Sequence, residues 1–380
     1  MSQRVDAVSA AGSTLGGAAT GSALSGAAGG AKKRLLSLDF MRIFAILLVI
    51  FNHTNYRGFF RYLSDDPGTF LYWFNLFFSV ACKVAVPLFF MISGALLLKK
   101  EESIGKTYKR GIRIAVDLVL FSLLFYSVFA WQGGEPLTVM GFLKGVIQKN
   151  VWHLWYLYTY LGFLLTVPVL RGFVRALSAK EGLLLFALAC VFGSVLPLLE
   201  FYIGRVNPLA IPTFTFAMIL YYPIMGYLLT WKVDLQKVTG KQLGILWAVN
   251  LVFFALCMYT QYRYIGKNPG SLNETFLTNN RFLNAPVVYL TFLKLFDGKS
   301  FGEKADKVIT EVGMCTFGIY LIHPLFLTYV PALQKVWSVF EHGGFLRNEF
   351  GIVLSVLCVY LMTLAIVWVL RRIPVVKKLF

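Results

Sequence analysis

Arg42 and His53 are two side chains capable of chemistry within one apolar stretch, residues 35–56. A helix turns by about 100° per residue, so their spacing places both on one helical face, about 16 Å apart along the axis. Charged and titratable groups are costly inside a membrane, which favours a functional role. A guanidinium binds anions, and an imidazole transfers protons near neutral pH. The alternative is structural: Arg42 anchors the inner end of the helix and His53 caps its outer end.

Two further histidines, His153 and His323, occur in apolar segments. His153 begins a segment that runs inward, and His323 lies in the outer half of one that runs outward. The predicted topology therefore brings three imidazoles, including His53, to a comparable depth in the membrane, where they could act in general acid–base catalysis. The fourth histidine, His342, lies in a polar segment and is interpreted as solvated.

Structural interpretations of these two histidines remain open. His153 stands between Trp152 and Trp155, and such a group is also typical of an aromatic belt at the membrane surface. His323 precedes Pro324, which frees a backbone carbonyl that an imidazole can bind.

A basic cluster precedes the third apolar segment and contains Lys109, Arg110 and Arg113. Arg110 and Arg113 are three residues apart and therefore adjacent on one helical face. A helix that starts nearby would add its amide dipole, which predicts a phosphate-binding site. The alternative is a cluster that only sets membrane orientation.

Two more polar side chains qualify as supporting residues. Lys83 is an ammonium within the second apolar segment and is expected to snorkel or to pair with Asp117 or Glu200. Asp39 precedes Arg42 by one helical turn and can hold its guanidinium in place.

The composition places these residues in an integral membrane protein. The chain has 380 residues, of which 58% are hydrophobic and 14% charged, with a mean hydropathy of +0.68. Soluble domains are closer to 45–50% apolar and 25% charged. The expected fold is all-α, a polytopic bundle of about ten transmembrane helices. The spans are expected near residues 38–56, 70–98, 114–131, 153–170, 181–199, 212–231, 242–262, 282–296, 308–332 and 350–370.

The net charge of +18 follows this topology. With both termini in the cytoplasm, and with Lys294 at the inner end of the eighth span counted as cytoplasmic, the cytoplasmic segments hold 24 of the 36 Lys and Arg residues and the external loops hold 10. This distribution obeys the positive-inside rule and favours an anionic membrane surface over nucleic acid as the partner of the basic charge.

Several segments have local signals of their own. Residues 1–31 are rich in Ala, Gly and Ser and are predicted to form a disordered cytoplasmic tail, leaving 32–380 as the membrane domain. The 70–98 segment exceeds the length needed for one crossing and should kink at Pro87. The external segment 132–152 contains a short amphipathic run, and 263–281 is interpreted as a polar loop.

The cysteines and the known short motifs narrow the chemistry. No CxxC pair is present, so neither a disulfide framework nor a metal site is predicted, and the five cysteines are interpreted as packing residues. The sequence also lacks a Walker motif, a GxSxG elbow, an HEXXH motif and the HxxxxD motif of soluble glycerolipid-type acyltransferases.

Taken together, the motifs resemble the acyltransferase-3 family of integral membrane acyltransferases over residues 35 to 372. The Arg42–His53 pair is similar to the family's Arg/Lys-x10-His signature. Four further stretches occur in the family's order; they are KVAVPLFFMISGALLL, which includes Ser93, then YKRGIRI, HLWYLYTYLGFLL and GIYLIHPLF.

The resemblance implies transfer of an acyl group, commonly acetyl from acetyl-CoA, to a hydroxyl of an extracytoplasmic or lipid-linked glycan. It implies that Arg42 and His53 are essential and that the 108–114 region serves the donor. Some members carry a fused esterase domain, which this chain lacks. It therefore resembles the stand-alone sugar O-acetyltransferases of the inner, cytoplasmic membrane, and a separate partner protein could complete the transfer outside.

These features combine into a mechanistic hypothesis. The pantetheine arm of coenzyme A is about as long as the distance from Arg42 to His53. Phosphates bound at Lys109, Arg110 and Arg113 would let the thioester reach His53, acting as general base or transient acyl carrier. Arg42 would position the donor or stabilise developing negative charge.

Two other functions are compatible with the sequence. One is a transporter or flippase for a lipid-linked sugar, which would release no thiol from acetyl-CoA. The other is a scaffold of a polysaccharide assembly, in which replacing His53 or Arg42 would not alter glycan acetylation.

Overall fold

The computed structural model describes residues 35–133, 136–147, 151–204, 217–339, 345–374 and 376–378, and these residues form an all-α protein with no β-strand among them. The predicted 1–31 tail and His342 lie outside them. The helices are α1 Leu36–Asn52, α2 Phe70–Ala81, α3 Ala85–Leu97, α4 Ile104–Gly133, α5 Val139–Ile147, α6 Trp155–Ala176, α7 Ala179–Cys190, α8 Leu196–Ile203, α9 Tyr221–Trp231, α10 Gly240–Lys267, α11 Glu274–Thr278, α12 Arg281–Phe296, α13 Glu303–Pro324, α14 Pro331–Ser338 and α15 Phe345–Leu370.

Each of the ten predicted spans overlaps a helix. Seven helical stretches of the described residues are long and apolar enough to cross a membrane. The spans predicted first, sixth and eighth contain the shorter helices α1, α9 and α12, with 17, 11 and 16 residues. The all-α membrane fold is confirmed, whereas ten crossings and cytoplasmic termini stay predictions.

The α1 helix lies at the centre of the bundle, in contact with α3, α12, α13 and α15. The apolar windows that contain α3 and α13 are 67% and 61% buried inside the protein, compared with 28% for α7 to α8 and 22% for α10. Apolar side chains that face outward from a membrane protein are solvated by lipid tails. Most of each window that contains α3 or α13 is therefore shielded from lipid.

Two glycines bring α3 and α9 into close contact. A Cβ on Gly94 would overlap the backbone of Pro223, and one on Gly226 would overlap the backbone of Met91. Small residues allow such close approach of helices in membranes, where packing rather than the hydrophobic effect drives association.

The 70–98 segment breaks before Pro87 rather than at it. Its two helices, α2 and α3, are separated by a 3₁₀ turn at Cys82–Val84. Proline lacks an N–H and clashes with the carbonyl four residues earlier, which here is that of Lys83. The predicted kink therefore lies one turn earlier in the chain, at Lys83.

Two segments predicted as external differ in how much helix they contain. The amphipathic run in 132–152 forms α5, as its pattern indicated. The 263–281 segment was wrongly interpreted as a loop throughout, because α10 continues to Lys267 and α11 forms at Glu274–Thr278. Capping residues explain α11: the Asn273 side chain accepts a hydrogen bond from the backbone N–H of Thr275.

Candidate active site

A single cavity of about 540 Å³, here called the first cavity, is lined by both Arg42 and His53. The α1 helix supplies both residues and also Val49, which lines the cavity between them. Ser93 of α3, predicted as a supporting residue, lines the same cavity. The two side chains that the sequence placed on one helical face therefore line one cavity.

At one end of this cavity Arg42 is held by Asp39. The Arg42 Nη1 atom lies 2.6 Å from Asp39 Oδ1, and the Asp39 side chain is completely buried. Gly313 of α13 makes room for the carboxylate, because a Cβ there would lie 2.8 Å from Asp39 Oδ1. The Arg42 side chain keeps 20% of its surface exposed, so the ion pair orients a guanidinium that still lines the cavity.

At the other end His53 follows the last residue of α1 and bonds to His323. The His53 Nδ1 and His323 Nε2 atoms are 2.6 Å apart, and the two rings are stacked with centroids 4.9 Å apart. His53 and His323 are both buried. The packing of α1 against α13 creates this contact.

The partners of His323 assign the proton positions in neutral rings. Its Nδ1 lies 2.8 Å from the backbone oxygen of Tyr320 and 3.2 Å from that of Ile319. A carbonyl only accepts, so Nδ1–H donates and Nε2 must accept from His53 Nδ1–H. The remaining nitrogen of His53, Nε2, then carries the lone pair that a base or nucleophile needs.

His323 makes the predicted structural contact as well as its contact to His53. Pro324 has no N–H to give to the carbonyl of Tyr320, and His323 bonds that carbonyl instead. The structural contact and the contact to His53 use different ring nitrogens. One imidazole therefore completes the end of α13 and orients the histidine of α1.

His153 lies close to the His53–His323 pair. Its ring centroid lies 6.0 Å from that of His323, and the hydroxyl of Tyr320 donates to the backbone oxygen of His153 at 2.5 Å. His153 lines the first cavity and is 1% exposed, yet neither ring nitrogen has a hydrogen-bond partner among the described residues. A buried imidazole beside a cavity can offer its ring nitrogens to a polar group that enters the cavity.

The tryptophans beside His153 also contribute to the cavity. Trp152 and Trp155 both line it, and the Trp152 ring meets His53 edge to face with centroids 4.6 Å apart. Trp155 is 40% exposed, as expected of a residue in an aromatic belt. Sequence reasoning missed Tyr156 and Tyr160, which continue this aromatic wall along α6.

Only two of the three residues of the basic cluster line the first cavity. Arg110 and Arg113 line the cavity, whereas Lys109 is exposed and lies outside its lining among the described residues. The cavity contact of Arg110 and Arg113 fits the predicted shared face of α4. Lys109 points to a different surface, because it lies one residue away on the helix and is rotated by about 100°.

Arg110 is also part of a buried ion network that sequence reasoning missed. Its guanidinium binds both oxygens of Glu102, and Arg171 binds Glu102 Oε1 at 2.5 Å. Arg171 also donates to the backbone oxygen of Leu97 at 3.0 Å and to Thr107 Oγ1 at 3.2 Å. Hydrogen bonds from Arg110, and then from Arg171, hold the pKa of Glu102 at about 2. This network fixes the loop between α3 and α4.

Lys83 pairs with a carboxylate that the sequence did not single out. Its Nζ lies 3.2 Å from Glu274 Oε2 of α11 and 4.3 Å from the centroid of the Phe59 ring. Pairing with a carboxylate was one of the expected outcomes, but the partner is neither Asp117 nor Glu200, the two examples named from the sequence. Both oxygens of Asp117 are buried without a hydrogen-bond partner among the described residues. Lys83 and Glu274 both line the first cavity.

The cysteines and the clustered histidines are the residue types that most often bind metal ions. All five cysteines are free, and Cys82 lines the first cavity rather than only packing. No group of three or more His, Cys, Asp or Glu side chains in the described part of the chain is arranged to hold a metal ion.

Comparison with known proteins identifies the class to which this fold and cavity belong. A family model described as an acyltransferase domain, acyltransferase-3, matches residues 35–372. The chain therefore belongs to the acyltransferase-3 family, and the protein is a membrane acyltransferase. No match is found among curated proteins or among solved structures.

Proposed function

We propose that the protein transfers an acyl group, acetyl in the simplest case, from cytoplasmic acyl-CoA to a hydroxyl of an extracytoplasmic or lipid-linked glycan. The family supports acyl transfer in general. The observation that carries the finer proposal is the first cavity, because the Arg42 guanidinium and His53, whose ring bonds to His323, both line it.

The Arg42 end suits the donor. Arg110 and Arg113 offer guanidinium groups for phosphates. Arg42 also lines the cavity, and its ion pair with Asp39 fixes the orientation of its guanidinium. The pantetheine arm would extend from these groups along α1, past Val49, and bring the thioester to His53. Lys109, exposed beside them, would add only long-range attraction for the nucleotide.

The His53 end suits the chemistry. The Nε2 lone pair of His53 accepts the proton of the acceptor hydroxyl. At the same time, the oxygen of that hydroxyl attacks the carbonyl carbon of the thioester. A C–O bond forms, the C–S bond breaks, and the departing thiolate takes the proton back from His53. His323 keeps Nε2 as the basic nitrogen, in the way that a third group orients the base of a catalytic triad.

Arg42 and His53 are about 16 Å apart, so they serve different parts of the donor. A guanidinium at that distance cannot touch a carbonyl oxygen held at His53. We therefore assign Arg42 to donor binding and favour His153, whose ring nitrogens are buried and unsatisfied, for contact with the thioester oxygen.

The test is thiol release from acetyl-CoA. Given a glycan acceptor, the purified protein in lipid nanodiscs should release free CoA from acetyl-CoA labelled in the acetyl group, and glycans of cells that express the protein should gain the acetyl mass increment. Absence of both thiol release and acetylated glycan would contradict the proposal. A protein that only transports a sugar would release no thiol, and one that uses another donor would leave acetyl-CoA intact while still modifying the glycan.

A second experiment separates the two roles open to His53. If His53 carries the acyl group, a rapid-quench sample of protein and labelled acetyl-CoA without acceptor should contain label bound to protein. If His53 acts only as a base, the label should stay in acetyl-CoA or appear as free acetate.

A further inference from the structure

A second cavity of about 370 Å³ contacts His53 apart from the first. Among the described residues His53 is the one side chain that lines both cavities. The lining of the second cavity also includes Asn55, Tyr56, Arg57, Arg61 and Thr328. A residue shared by two cavities can meet one reactant from each.

The chain that follows His53 is folded to form this second cavity. Asn55 adopts a left-handed conformation with φ of 52°, which asparagine tolerates better than most residues. Thr54 fixes the turn, since its hydroxyl donates to the backbone oxygen of Phe51 at 2.7 Å and accepts from the N–H of Phe59 at 2.9 Å. The turn places residues 54–57 along the cavity immediately beyond the reactive histidine.

The opposite wall comes from the segment after α13. Leu325–Tyr329 is a single π-helical turn directly after Pro324, and such turns often occur at functional sites. Arg57 spans to this wall: its Nη1 donates to the backbone oxygen of Leu327 at 3.3 Å, and its Nη2 donates to Gln334 Oε1. The guanidinium is thus fixed as an oriented group of donors at the cavity surface.

Charge balance indicates what chemistry the second cavity favours. Arg61 Nε lies 3.9 Å from both Asp65 Oδ1 and Glu349 Oε1, and so two carboxylates offset its charge. Together with Arg57, these groups amount to two guanidiniums and two carboxylates, whose formal charges cancel. The cavity therefore offers N–H and hydroxyl hydrogen-bond partners, including Thr328, rather than a net positive field. Such a lining favours a neutral, hydroxyl-rich ligand over an acidic one.

An exposed aromatic ring completes the site. Tyr56 lines the second cavity with 68% of its surface exposed, and the Phe60 ring supports it at a centroid distance of 5.4 Å. An exposed tyrosine supplies an apolar face and a polar edge on a side chain with few rotatable bonds. The face of a sugar ring, with its C–H groups, matches that surface.

We propose that the second cavity is the acceptor subsite and binds a neutral sugar ring, stacked on Tyr56, with one hydroxyl presented to His53. This inference rests on the proposed function. The thioester then arrives through the first cavity and the hydroxyl through the second. The hydroxyl proton goes to His53 Nε2, the ester C–O bond forms, the C–S bond breaks, and the thiolate is protonated by His53.

The experiment uses three neutral probes, the octyl β-D-glycosides of glucose, galactose and mannose, and one acidic probe, octyl β-D-glucuronide. The full-length protein in nanodiscs is given acetyl-CoA, and probe-dependent thiol release and ester formation are measured. We expect at least one neutral glycoside to be acetylated with a lower KM than the glucuronide. Acetylation of none of the neutral glycosides, or a glucuronide KM tenfold lower than theirs, would overturn the assignment to a neutral sugar.

Variants at Tyr56 test the location of the subsite. Tyr56→Ala should raise the KM of the best glycoside about tenfold, and Tyr56→Phe should restore it because the ring is retained. Tyr259→Ala, an exposed tyrosine of α10, should leave that KM unchanged. An unchanged glycoside KM in Tyr56→Ala would overturn the subsite.

Failure of this inference differs from failure of the proposed function. Wild-type protein that releases no thiol from acetyl-CoA and whose expression leaves the glycans of the cell without added acetyl groups contradicts the proposed function itself. Wild-type protein that acetylates a glycoside with a KM independent of Tyr56 contradicts only the subsite.

Discussion

The two ends of the first cavity are constructed by opposite means. At the His53 end, the two imidazoles bind each other and backbone carbonyls, and their hydrogen bonds within the described part of the chain involve no carboxylate. At the other end, charged side chains are paired: Arg42 with Asp39, and Arg110 with Glu102. An uncharged imidazole can be buried without a large desolvation cost and keeps a lone pair for chemistry. A guanidinium that is already paired with a carboxylate can likewise be partly buried and can still bind a phosphate.

Replacing His53 should have the largest effect, because it removes the only proposed base. His53→Ala should lower the rate of acyl transfer by about 10²–10⁴-fold, while thermal stability in detergent changes little. His342→Ala serves as the matched histidine control and should retain full activity. A His53→Ala protein that is folded and transfers acyl groups at more than a tenth of the wild-type rate would contradict the division between the two ends.

Replacing His323 sharpens the comparison by removing orientation while the base remains. His323→Leu should reduce kcat by about 10–100-fold with little change in the KM of acetyl-CoA. His323→Gln should recover part of kcat, since its amide oxygen can accept from His53 Nδ1–H. Equal rates for the Leu and Gln variants would show that His323 only fills space.

Replacing Arg42 should affect the donor rather than the base. Arg42→Ala should raise the KM of acetyl-CoA by about 10–100-fold, as expected for loss of a charged hydrogen bond. Gly313→Ala should raise it less, because the added methyl displaces Asp39 and misaligns Arg42. Arg263→Ala, which removes an exposed arginine of α10, is the control. A fall in kcat with an unchanged donor KM would contradict donor binding by Arg42.

Replacing Glu102 should change stability more than catalysis. Glu102→Gln should lower the midpoint of thermal unfolding by about 3–8 °C at pH 7, whereas Glu101→Gln, in an exposed pair with Arg175, should not. The pKa of Glu102 is lowered from 4.5 to about 2, so its ionised form stabilises the protein. The advantage of wild type is complete above pH 4.5 and is lost as the pH falls towards about 2. A midpoint difference that grows on acidification would contradict this.

Local spacing was sufficient for the features that one helix contains. The shared face of Arg42 and His53 and the position of Asp39 one turn before Arg42 follow from helical periodicity alone. Hydropathy likewise located a helix for every predicted span, and family resemblance was confirmed over residues 35–372.

Features that join distant parts of the chain could not be read in the same way. His53 and His323 are 270 residues apart, and Arg171 is 69 residues from Glu102. The sequence contains several acidic residues that could pair with Lys83. The partner is Glu274 because α11 places that side chain next to Lys83. The second cavity depends on a left-handed residue and a π-helical turn, neither of which has a periodic pattern.

The most direct test asks whether the first cavity carries the thioester from Arg42 to His53. Val49 is buried, lies on α1 between them and lines the cavity, so Val49→Trp should block the passage. Phe44→Trp, a partly exposed position on the same helix, is the control. The predicted result is that Val49→Trp still binds labelled CoA within tenfold of wild type but releases thiol from acetyl-CoA at least 100-fold more slowly, whereas Phe44→Trp resembles wild type. Thiol release at the wild-type rate by folded Val49→Trp would contradict the account.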